Sequence, residues 1–160
     1  MKANDNNDNN MYKAAEVKLM YMSEVKASDR IQIRDSDDAA AVFFDVWDFH
    51  TIEHTEEVKM TLLNRPNKVL GIASISRGSL SGSIIDTRVI LQYAIKANAH
   101  SVILAHNHPS GNLGASEADI RITKNVKEAL KLMDIELLDH MILTYEEKYS
   151  TIETEGLVSG

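Results

Sequence analysis

The stretch Ser101-Val102-Ile103-Leu104-Ala105 is apolar at every position after the serine and runs straight into His106. Consecutive apolar residues without alternation predict a short strand covered on both faces, because a strand with one wet face alternates apolar and polar side chains. A sheet covered on both faces needs helices on both sides of it. The rest of the sequence has to supply them.

It does so in a mixed order. Ser36 followed by Asp37 and Asp38 predicts an N-cap with acids in the first turn, and Ala40, Phe43, Phe44 and Trp47 mark one face of the helix that follows. Glu56 to Leu63 and Val69 to Ile75, joined by Asn64-Arg65-Pro66-Asn67, predict a hairpin. After the small-residue loop Arg77 to Ser83, Asp86 should cap a second helix through Val89, Ile90, Tyr93, Ala94 and Ala97, ending at Asn98. A third helix is expected from Ser116 to about Met133, with Ile122, Val126, Ala129, Leu130 and Met133 inward. Strands should follow from Ile135 to Thr144 and from Lys148 to Ile152, and the loose alternation of Val17, Leu19 and Tyr21 predicts an entering strand between Glu16 and Val25. This order predicts one α/β (mixed α+β) domain over residues 11–160, a central sheet with helices packed on it, behind a polar Asn/Asp-rich tail at 1–10 that should be flexible.

Composition narrows the chemistry. The 160 residues carry 17 Lys+Arg against 24 Asp+Glu, and a formal charge of -7 argues against a phosphate-binding footprint over the whole surface. With no cysteine, disulfides, thiolate metal sites and a cysteine nucleophile are excluded, so any metal must use His, Asp or Glu. The start MKANDNNDNN lacks the basic and apolar regions of a secretory signal, and no apolar run approaches the roughly 20 residues of a membrane span. The expectation is a cytoplasmic chain without membrane association.

The dense feature is His106-Asn107-His108-Pro109-Ser110-Gly111, followed by Ser116 and Asp119. Two histidines one residue apart at the end of a strand direct both imidazoles to one side, and Asp119 in the first turn of the next helix can return a third, anionic ligand. Three N/O ligands leave a fourth position for water, and zinc suits the set. Such water needs a proton acceptor. Glu56 shares strand phase with Val58, Met60 and Leu62 and is expected to face inward, with desolvation raising its pKa, whereas Glu57 falls in phase with Lys59.

Blander readings apply to the same residues. Ser116 and Asp119 fit a capping box, and Pro109, Gly111 and Gly114 fit any tight loop. His140, in phase with Leu138 and Ile142, reads as a core histidine or one that supports a ligand from behind. Arg121, Lys124, Lys127 and Lys131 recur at helical spacing, most simply as a solvated face, and His50 and His54 as surface residues.

The string His106-x-His108, seven residues, Ser116, two residues, Asp119 resembles the JAMM motif of the MPN (JAB) metalloprotease domains. The surroundings, Ile103 to Asn112 and Leu137-Leu138-Asp139-His140, are similar to the RadC branch of that superfamily, historically labelled as DNA repair proteins. The resemblance implies a curved mixed sheet flanked by helices, similar to the cytidine deaminase fold. It implies His106, His108 and Asp119 as Zn2+ ligands, Ser116 as a donor to the tetrahedral intermediate, and Glu56 as general base, with Glu57 as the lesser alternative. The implied activity is metal-dependent hydrolysis of a peptide or isopeptide bond in a protein substrate. The lesser expectation is a DNA-associated module with a structural or non-proteolytic metal site; longer RadC proteins carry an N-terminal helix-hairpin-helix module, for which this chain is expected to have no room. Pairing of sheet edges into a homodimer stays open.

Overall fold

The computed structural model describes residues 15, 17, 18, 20–78 and 85–152. After a single 3-10 turn at Ala27–Asp29 come α1 (Ser36–Val46), β1 (Glu57–Leu63), β2 (Val69–Arg77), α2 (Thr87–Lys96), β3 (Ser101–Asn107), α3 (Glu117–Lys131), β4 (Glu136–Leu143) and β5 (Tyr149–Thr151). The strands form one sheet in the order β2-β1-β3-β4-β5. Only β3 and β4 run parallel, and α3 is the crossover between them.

The sheet is covered on both faces, as the run before His106 requires. Met60, Leu62, Val102, Leu104 and Leu137 pack with Ile90, Ala94, Val126 and Leu130 of α2 and α3. Leu63, Ile103, Ala105, Met141 and Leu143 pack on the other side with Ala39, Ala40 and Phe43 of α1 and with Trp47 and Ile52 beyond it. Val102, Ile103 and Leu104 are all 3% exposed or less. At about 2 kcal/mol for each such side chain, their burial fixes the backbone that delivers His106.

Several boundaries depart from expectation. The N-cap of α1 is Asp35, whose extended backbone lets its side chain accept the Asp38 N–H at 2.9 Å; Ser36 is the first helical residue and donates instead to Asp139. Tyr93 is 42% exposed and Met133 49%, the latter because α3 ends at Lys131, ahead of Asp134 at a φ of 55°. The described residues between 15 and 25 form no strand. Val17, Met20 and Met22 are exposed there, and Tyr21 donates its hydroxyl to the Leu70 carbonyl, while residues 31–33 bond to the start of β2 through Gln32 and Lys68. Alternation without a partner strand leaves those side chains in solvent. The tail at 1–10 and the loop positions 79–83 lie outside the described residues. No helix among the described residues is long and apolar enough to cross a membrane.

Candidate metal centre

Strand alternation places His106 on the α2/α3 face with Val102 and Leu104 and turns Asn107 to the α1 face. His108, one residue past the strand, returns to the side of His106, and the two Nε2 atoms stand 3.0 Å apart. The chain then turns at Gly111, whose φ of 77° favours glycine, and this brings the Asn112 carbonyl oxygen to within 2.6 Å of His108 Nδ1. Ser116 caps α3, so that Asp119 stands in the first turn. Its Oδ1 lies 3.5 Å from His106 Nε2 and its Oδ2 3.6 Å from His108 Nε2. His106, His108 and Asp119 each offer a ligand atom within 4.8 Å of the others, a group that could hold a metal ion.

The donor set fits such an ion. A carbonyl oxygen only accepts, so His108 carries its hydrogen on Nδ1 and turns the Nε2 lone pair toward Asp119 and His106. That lone pair and the two carboxylate oxygens are acceptors facing one another, an arrangement stabilised by a cation or by a proton. Without a metal the proton takes the place: the carboxylate of Asp119 beside it raises the His108 pKa above 6.5. Burial pushes the Asp119 carboxyl up, but His108 and the hydrogen bonds from Ser116 outweigh it and hold the group well below the usual carboxylate range. Burial lowers His106 to about 4, so this imidazole is neutral at pH 7 and ready to coordinate.

Ser116 and Asp119 form the capping box that the bland reading anticipates. Ser116 Oγ accepts the Asp119 N–H at 3.1 Å, and Asp119 Oδ2 accepts both the Ser116 N–H and the Ser116 hydroxyl at 2.7 Å. The helix cap and the metal group are thus one structure, and the cap aims Asp119 at the histidines.

Glu56 lies half-buried just before β1 and lines a cavity of about 540 Å³ together with His108, Ser110, Asn112 and Ser116. Its field is one of the influences raising the His108 pKa. Glu57 is the more buried of the two, at 7% exposure, although it is Glu56 that shares the phase of Val58, Met60 and Leu62. The strand phase is as expected, but the second face of β1 is also covered, by α1 and by Trp47 and Ile52 beyond it. There Glu57 pairs with Lys59 and Arg77, each at 3.3 Å.

Sequence reasoning passed over two residues, Asn107 and Thr123, and misread the phase of a third. Asn107 is fully buried; its Oδ1 accepts the Glu57 N–H at 2.7 Å, and its Nδ2 donates to the carbonyls of Ile52 at 2.6 Å and Thr55 at 2.9 Å. The available signal was an asparagine, a poor strand former, inside a central strand. Thr123, one helical turn after Asp119, bonds His140, which in turn bonds His106. His140 keeps the supporting place expected of it, but not the phase. An irregularity between β3 and β4 at Leu138 sends that side chain to the α1 side while His140 faces His106. His50 and His54 are exposed, as are Lys124 and Lys131, and Arg121 pairs with Glu117 at 3.7 Å.

A strand ending in two imidazoles, answered by a carboxylate on the capped crossover helix beside a half-buried glutamate, defines an α/β domain of the JAB class with a group that could hold a metal ion. The model of the RadC-like JAB domain matches residues 33–157, and the chain belongs to that family. A UPF0758 protein of Flavobacterium johnsoniae is 42% identical over 102 residues, covering 64% of this chain and 44% of that protein. One from Clostridium kluyveri is 37% identical over 138 residues, covering 82% and 59%, and one from Alkaliphilus metalliredigens is 46% identical over 98 residues, covering 61% and 42%. The chain therefore spans about half the length of the curated relatives it matches.

Proposed function

We propose that the domain is a zinc-dependent hydrolase that cleaves a peptide or isopeptide bond in a protein substrate, with Glu56 as general base. The observation that carries this reading is that Glu56, His108 and Ser116 line one open cavity, so a carboxylate outside the ligand group faces the same space as that group. A divalent ion held by His106, His108 and Asp119 supplies Lewis acidity, lowering the pKa of water and polarising a carbonyl.

The remaining work falls to the chain's own side chains. Glu56 takes the proton of the attacking water and passes it to the departing amine. The Ser116 hydroxyl points at Asp119, which keeps a second bond from the Ser116 backbone N–H, so the hydroxyl can turn to a developing oxyanion without freeing the ligand. The loop from Pro109 to Ala115 forms the cavity wall and offers an extended chain a bed beside the reacting groups. The test pairs zinc content with turnover of peptide and isopeptide libraries. Glu56→Gln should hold zinc like the wild type and lose turnover; a Glu56→Gln protein as active as the wild type removes Glu56 from the role.

A further inference from the structure

Behind the ligands, on the closed side of the site, a chain of hydrogen bonds runs from α3 through β4 to His106. Thr123 and His140 are both 0% exposed, so only protein groups can satisfy them. Thr123 Oγ lies 2.6 Å from the Asp119 carbonyl oxygen and 2.6 Å from His140 Nδ1; His140 Nε2 lies 2.9 Å from His106 Nδ1.

The direction of every bond follows from the first. A carbonyl oxygen has no proton, so the Thr123 hydroxyl donates to Asp119 and can only accept from His140. His140 therefore carries hydrogen on Nδ1. Burial with no carboxylate in hydrogen-bond contact keeps the ring neutral, so its Nε2 holds a lone pair and accepts from His106 Nδ1. His106 has then placed its one hydrogen on Nδ1. Its Nε2 presents a lone pair to the space shared with His108 and Asp119.

We propose that Thr123 and His140 are positioning residues that lock His106 in the Nδ1–H tautomer and so make its Nε2 a ligand, without either of them touching the ion. The opposite direction of the relay would put a hydrogen on His106 Nε2, in the middle of the ligand group, and block a cation. One helix thus supplies both the anionic ligand, Asp119, and, four residues on, the hydroxyl that sets the tautomer of a ligand on another element. The tautomer stands on the hydrogen bonds and on the burial that keeps His140 neutral; its consequence for zinc rests on the reading of His106 as a ligand.

The experiment combines 15N imidazole spectra of the metal-free protein with zinc competition against a chromophoric chelator. The wild type should show His106 as the Nδ1–H tautomer. Thr123→Val, nearly isosteric, leaves the His140 Nδ1–H without an acceptor; it should move hydrogen to His106 Nε2 and weaken zinc binding about 10- to 100-fold, the range for groups that orient a ligand. Thr123→Ser should restore both. Should the valine variant not fold, the His140 pair serves: His140→Gln can still accept from His106 and donate to Thr123 and should keep the tautomer, while His140→Leu should lose it. An Nε2–H tautomer in the wild type, or Thr123→Val with wild-type spectra and zinc affinity, overturns the proposal. A wild type that shows Nδ1–H yet takes up no zinc supports the relay and removes the metal reading instead.

Discussion

The side-chain oxygen of Asn107 accepts the backbone N–H of Glu57 at 2.7 Å, so the residue between the two site histidines fastens the segment that carries Glu56. The same amide holds Ile52 and Thr55 through its Nδ2. One three-residue stretch therefore sends two imidazoles to one face of the sheet and, through the other, fixes where the glutamate enters.

Asn107→Ala should separate the two consequences. It removes three hydrogen bonds, two buried and one partly buried, at about 1 kcal/mol each, so a loss of about 3 kcal/mol in urea unfolding is expected. Zinc content should stay at the wild-type level because the side chain points away from the ligands. Turnover should fall, as the anchor of Glu56 is gone; zinc loss in a folded variant would contradict this division.

The capping box predicts different outcomes for its two members. Ser116→Ala removes the side-chain cap of α3, worth about 1 kcal/mol, yet leaves the backbone N–H that holds Asp119 Oδ2. It should retain zinc. Asp119→Ala removes cap acceptor and ligand together and should lose zinc at comparable cost to the fold, as read by metal content and thermal melts side by side.

Glu57→Ala should act on stability alone. Its side chain is 9% exposed and answers Lys59, itself 11% exposed and 5.2 Å from the Trp47 ring centre, as well as Arg77. Stranding a buried cation typically costs about 3 kcal/mol. Zinc uptake equal to the wild type, with a lower Tm, is the expected pair of results; loss of zinc from a folded variant would place Glu57 in the site.

The site histidines should pull the stability of the metal-free protein in opposite directions on the two sides of pH 6.5, the value from which their shifts start. Below 6.5, His106 at about 4 and His140, also lowered by burial, stay neutral in the fold but take up protons when unfolded, so their contribution falls as pH drops. His108 is raised by Asp119, so its contribution is complete below 6.5 and is lost as pH rises through its folded value. Zinc binding follows the opposite trend across that upper window: the proton on His108 competes with the ion, and affinity should climb until it is gone. Thermal melts without metal and competition titrations from pH 5 to 9 read both; zinc affinity flat between pH 6 and 8 would contradict the proton's place on His108.

How far the sequence disclosed this arrangement follows from what local pattern can encode. The strand into His106, the Ser116 cap and the placing of Asp119 are local, and the structure brings His106, His108 and Asp119 together. Alternation in Glu56 to Leu63 yields the phase of a strand but not which of its faces is covered, because that depends on α1 and the segment through Trp47 and Ile52 packing over the second face; hence the buried Glu57. The irregularity at Leu138 inverts a phase that no residue type there announces. Asn107 and Thr123 act through partners from other parts of the fold, Glu57 and His140, and such pairs leave no periodic trace.

The capped start of α3 lies only a short loop beyond β3, so all three ligand residues come from one contiguous strand–loop–helix unit, while Glu56 reaches the cavity from a hairpin formed much earlier in the chain. Contacts near in sequence close faster than distant ones. During folding, the group of His106, His108 and Asp119 is therefore ready to assemble before the sheet has brought Glu56 alongside. On the proposed function, a chain caught between these two events would hold its ion before β1 and β3 have zipped, and would gain its base only afterwards.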